Sequence, residues 1–187
     1  MKRNVLVLTM VLGASIPFAD LSAAEYFVDA ANGSDAYDGT AAKWAGGEST
    51  VGPKKTVQAA VNLADGNGTT ITLLPGVYDE GGDVNTGSYP QSNRVVITKS
   101  NVTLRSSTGK AKDVHIIGRL STAAGNWYGV GEGAMRCLAP NKNVLGVVAV
   151  GITFRDGAAI TTENKYRGGG IWGPTKLRSS TVSYPTA

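Results

Sequence analysis

Cysteine and histidine are almost missing from this sequence: each occurs once in 187 residues. A lone Cys137 excludes an intramolecular disulfide, so stability in an oxidising compartment must come from packing. A lone His115 excludes a histidine cage or a two-histidine zinc motif. Charge of one sign is also scarce, at a net +4, and no basic cluster of helical spacing occurs, which argues against a nucleic-acid partner. Beyond the first two dozen residues no apolar run approaches the roughly 20 residues that span a bilayer, so no transmembrane segment is expected there. Cys137 lies in Met135-Arg136-Cys137-Leu138, which reads as a short strand with a buried, inert thiol. His115 lies in Val114-His115-Ile116-Ile117 and should face out of an alternating strand.

The chain opens Met1-Lys2-Arg3-Asn4, continues with an apolar run from Val5 to Ala14, and closes that segment with Ser22-Ala23-Ala24. A charged start, an apolar middle and a small-residue end form a secretory signal peptide, with the cut expected after Ala24. Pro17 and Asp20 interrupt the run and argue against a membrane anchor. Residues 1–24 are thus the leader, and 25–187 are expected at the cell surface or outside the cell by bacterial-type export. About 163 residues remain, enough for one domain with a core. Losing Lys2, Arg3 and Asp20 leaves 16 cations against 13 anions, or +3, a weakly basic balance that reads most simply as scattered, solvated Lys and Arg, although a weakly basic groove could still suit an acidic polysaccharide.

What is plentiful is glycine, with 25 residues, and with Asn, Asp and Ser it divides short β-rich runs. The runs are Tyr26–Asp29, Thr69–Leu74, Val77-Tyr78, Val95–Ile97, Val102–Leu104, Val114–Ile117, Val144–Val150, Ile152–Phe154, Ile171-Trp172 and Leu177–Val182. One helix is expected over about 54–65, capped by Thr56, with Val57, Ala60, Val61 and Ala64 on one face. Ile71, Leu73, Ile97, Leu104, Ile117, Ile152 and Phe154 are the expected core. Val147, Ile152 and Phe154 match Leu177, Val182 and Tyr184 at an offset of 30 residues, a period that signals a stacked array. The loop at 29–40 gathers Asp29, Asn32, Asp35 and Asp38, so calcium is conceivable there, although Asx-turns account for the same residues.

Tyr26-Phe27-Val28-Asp29, Asn32-Gly33-Ser34-Asp35 and Asp38-Gly39-Thr40 resemble the opening of secreted right-handed parallel β-helix proteins of the pectate-lyase-like superfamily. Lys55–Val61 looks like their N-terminal capping helix, and Ile71–Tyr78 like their first full coil. Ser100–Ser106 and Gly168–Trp172 continue the pattern. The resemblance implies an all-β fold, a right-handed parallel β-helix solenoid with a short N-terminal capping α-helix. It covers about residues 25–184, as the cap and first coils of a solenoid expected to be incomplete at its C-terminal end.

The superfamily holds lyases, hydrolases, adhesins and phage spikes, so the fold fixes no activity. Its enzymes carry calcium-binding acids and catalytic Arg, Lys or Asp on later coils, and no position here maps onto such a set. Arg105, Arg119, Arg136 and Arg155 qualify as bases by residue type alone, and Asp156 with Glu163 as an acid–base pair. Asp156-Gly157 reads more simply as a turn. Two functions follow: part of a polysaccharide-binding or polysaccharide-processing protein, this chain itself inactive, or a non-catalytic surface or adhesin-type protein.

Overall fold

Alternation of β-branched and polar residues makes short strands, and their registers decide which side chains meet. The computed structural model describes residues 23–86, 91–122, 129–159 and 170–183. Among these residues the fold is all-β, with three largely parallel sheets, one short α-helix and one 3-10 turn at Ala111–Asp113. The first sheet holds β1 (Glu25–Val28), β2 (Thr70–Leu73), β6 (Thr103–Ser106), β9 (Val147–Val150) and β11 (Thr175–Arg178), side by side in that order. The second holds β3 (Gly76–Tyr78), β7 (Val114–Ile117), β10 (Thr153–Arg155) and β12 (Thr181–Ser183). The third holds β4 (Asp83–Val84), β5 (Ser92–Ile97) and β8 (Arg136–Pro140), with a bridge from Leu138 to Ile171. From β2 onward the chain visits the three sheets in turn and then returns to the first. The β4–β5 pair is antiparallel.

Inward files run across the sheets. Tyr26, Ile71, Leu104, Ala149 and Leu177 share one file of the first sheet. Tyr78, Ile116, Phe154 and Val182 share one of the second, and Val95 meets Leu138 in the third. Ile71, Leu73, Ile97, Leu104, Ile152 and Phe154 are buried in one core, as their patterning predicts. Ile117 is only half-buried. It lies two residues from His115 and so shares its outward face, while Val114 and Ile116 turn in.

The repeat is also corrected. Leu177 pairs with Ala149 and Val182 with Phe154, an offset of 28 residues rather than 30. A slip of two keeps every side chain on its face, so an apolar pattern cannot separate the two registers. Tyr184 lies outside the described residues. The run 177–182 is two strands, not one, because Ser179 takes φ 47° and turns the chain between them.

The helix α1 (Val57–Val61) is shorter than its pattern. The Asn62, Leu63 and Ala64 region tightens into i→i−3 bonds, Leu63 N–H to Ala60 and Ala64 N–H to Val61, which ends the α geometry. Val57, Ala60, Val61 and Ala64 are all buried, and α1 packs on β1, β2 and β5. The Thr56 hydroxyl accepts from the Ala59 N–H at 3.2 Å, as an N-cap should. Asp35 holds that cap, accepting from the Thr56 N–H and hydroxyl, each at 2.8 Å.

Candidate functional site

Outward files of the first sheet carry its polar chemistry. Phe27, Thr72, Arg105, Val150 and Arg178 form one file, and Thr70, Thr103, Val148 and Lys176 lie in the next. Three of these strands are tied by side chains. The Thr72 hydroxyl donates to Glu25 Oε1 at 2.6 Å, while Arg105 reaches Thr72 Oγ1 at 2.8 Å and Glu25 Oε1 at 2.6 Å. The Thr72 hydrogen bond chiefly holds the Glu25 carboxyl below its ordinary pKa; burial opposes it, and the hydrogen bond and charge of Arg105 add to the lowering. Thr72 is buried beneath this pair although it faces out. Lys176 and Arg178 are exposed at the far end of the same face. The face thus carries threonines and the Glu25–Arg105 pair on β1, β2 and β6, the valines Val148 and Val150 on β9, and the exposed cations Lys176 and Arg178 on β11.

The four arginines singled out by type each meet a different partner. Arg105 belongs to the network just described. Arg119 donates to the Gly133 carbonyl at 2.6 Å. Arg155 pairs with its neighbour Asp156 at 2.5 Å, and both are part-exposed. Asp156 takes φ 58°, the left-handed conformation of a turn, and Glu163 lies outside the described residues. Arg136 is 1% exposed, its guanidinium 5.6 Å from the centroid of the Trp172 ring. Burial alone lowers its pKa to about 10.

The 29–40 loop spends its carboxylates on hydrogen bonds, Asp35 on the Thr56 cap and Asp29 and Asp38 chiefly within the loop. Asp29 accepts from the N–H groups of Ala31 and Asn32 and from the Asn32 amide. Asp38 accepts from the Thr40 N–H and hydroxyl and from Gly52, and the Thr40 N–H chiefly keeps its pKa low. Among the described residues no three His, Cys, Asp or Glu side chains gather where a metal could sit. Cys137 is fully buried, and burial pushes its thiol up to about 12. Its Sγ donates to the Arg155 carbonyl at 3.2 Å, so it packs rather than reacts.

No family model matches the chain, and no curated protein or solved structure matches it either. The arrangement must be read from its own residues.

Several interacting side chains escaped the sequence. Arg94, nearly buried, donates to the carbonyls of Ile117 and Gly81 and so ties β5 to the end of β7. Lys54, also buried, donates to the Asp35 carbonyl at 3.0 Å. Gln58 turns its amide to β5 from the buried face of α1. Each works through a backbone group distant in sequence, and periodicity carries no signal for that. No helix of the described residues is long and apolar enough to cross a membrane.

Proposed function

We propose that the chain is an exported right-handed parallel β-helix, the three sheets its three sides, whose first-sheet face binds an acidic polysaccharide. The observation that carries this is the outward face on which Lys176 and Arg178 stand exposed at one edge, beyond Val148 and Val150, with Thr70, Thr103 and the Glu25-paired Arg105 on the strands before them. Exposed cations beside a face of hydroxyls suit a polyanion. Export is supported by the order of charged, apolar and small residues in 1–24. The fold is supported by the chain's return to each parallel sheet in turn. Catalysis by this chain is not part of the proposal, because Arg105 is engaged by Glu25, Arg119 by the Gly133 carbonyl and Arg155 by Asp156, and Arg136 is buried against Trp172.

Affinity electrophoresis of the purified chain in polygalacturonate gels tests the reading. Retardation is expected, weakened by salt and by the double change Lys176→Gln, Arg178→Gln, with no release of unsaturated product. Unchanged migration in every acidic glycan would refute binding and leave the surface or adhesin-type reading. Intact mass after expression in a Gram-negative host should reveal loss of residues 1–24. A soluble cytoplasmic product retaining Met1 would refute export.

A further inference from the structure

The loop between β1 and α1 presents an aromatic shelf on the surface. Tyr37 and Trp44 stack with ring centroids 5.9 Å apart and planes 9° from parallel. Trp44 is nevertheless 47% exposed. The indole N–H donates to the Ser49 carbonyl at 2.9 Å, which fixes the ring's direction. Tyr37 is seated on Gly52, where a Cβ would come within 2.8 Å of its ring. The loop is closed by backbone bonds from Asp38 N–H to Thr50, Ala45 N–H to Val51 and Ser49 N–H to Gly46. The indole is thus fixed in direction by its N–H bond and by the Tyr37 ring, with about half of its surface in water.

We propose that Trp44, backed by Tyr37, is a binding platform for a pyranose ring, an inference that rests on the polysaccharide reading above and adds a site to it. The electron-rich face of an indole attracts the electropositive C–H groups of a sugar's apolar face. A ring locked by Ser49 and Tyr37 loses little freedom when a ligand lands on it. Size selects a sugar over a protein. Trp44 with neighbouring Val51 forms a small exposed patch among the polar Lys43, Glu48 and Thr50, whereas a stable protein interface needs about 800 Å² per partner. Indole stacking does not depend on ligand charge, so the platform would contact acidic and neutral pyranose chains alike.

The test titrates the full purified chain with polygalacturonate and with a soluble neutral glucan, following tryptophan emission and gel retardation. Trp44→Ala is expected to weaken retardation by about tenfold, as truncating an aromatic anchor does. Trp44→Phe keeps a stacking face and should restore most of the affinity while losing most of the emission change. Wild-type retardation that Trp44→Ala leaves intact would overturn the platform and spare the polysaccharide reading. No retardation and no emission change with either glycan would overturn both. A Trp44→Ala chain that has lost its native circular dichroism is replaced in this comparison by Trp44→Phe and Trp44→Gln, which must differ in affinity for the platform to stand.

Discussion

The side-chain amide of Gln58 pairs with the backbone of Val96 on both sides: Oε1 accepts the Val96 N–H at 2.7 Å, and Nε2 donates to the Val96 carbonyl at 3.2 Å. Beyond its short contact with β4, β5 would otherwise leave these groups without a ladder partner on the side where α1 sits. The helix therefore continues the sheet with a side chain in place of a strand.

Gln58→Ala removes both bonds and strands a buried donor and acceptor, which should cost about 2–4 kcal/mol. Gln58→Glu keeps an acceptor for the N–H but sets a buried carboxylate against the Val96 carbonyl, and should be no better. Urea unfolding measures both. A loss within error of wild type would mean that the helix does not seal β5.

The register of β7 gives an asymmetric pair. Ile116→Ala empties a core position between Tyr78 and Phe154 and should cost about 2–5 kcal/mol. Ile117→Ala, on the half-buried outward face, should cost less than half as much. Equal losses would put both side chains in the core and contradict the register.

Gly118 has no room for a side chain. A Cβ there would lie 2.4 Å from the Met135 carbonyl oxygen and 2.5 Å from Gly157 Cα, both backbone. Gly118→Ala should lower the thermal midpoint by several degrees, whereas Gly133→Ala, with open space but φ 77°, should lower it less.

Alkali should unfold the protein through groups held protonated by burial. The Cys137 thiol is raised from an ordinary 9.0 to about 12, and burial also raises the Tyr78 phenol, which donates to the Val28 and Leu74 carbonyls. Between pH 9 and 12 the unfolded chain releases the thiol proton and the folded chain keeps it. That contribution is therefore complete below pH 9 and lost as pH rises toward 12. A thiol reagent at pH 8 should label Cys137 only in denaturant. Rapid native labelling would contradict its burial.

The strands, the Thr56 cap and the helix face were legible because each rests on local periodicity or capping chemistry. Ile117 was misplaced because an apolar run of Val, Ile and Ile hides the alternation that the outward His115 reveals. The 28-residue offset was missed because 30 has the same parity. The site was less legible. Thr72, Arg105 and Glu25 come from three strands far apart in sequence, and only their register brings them together. Tyr37 and Trp44 sit in a loop, where no period marks which rings will stack.

Neighbouring strands of the first sheet are separated by unequal lengths of chain, with Glu25 beside Thr70, Thr70 beside Thr103, Thr103 beside Val148 and Val147 beside Thr175. The corners absorb the difference, because loop closure grows only slowly more costly with length. Loop content is thus decoupled from the ladder. The segment between β1 and α1 is nonetheless partly built into the ladder, since Lys54 bridges Val28 and the Phe27 N–H donates to the Gly39 carbonyl, while its outer part carries Trp44. A graft limited to that outer part, with Gly33, Asp35, Gly39 and Lys54 kept to hold the Thr56 cap and the bonds to β1, would replace the exposed ring while leaving the core beneath it intact.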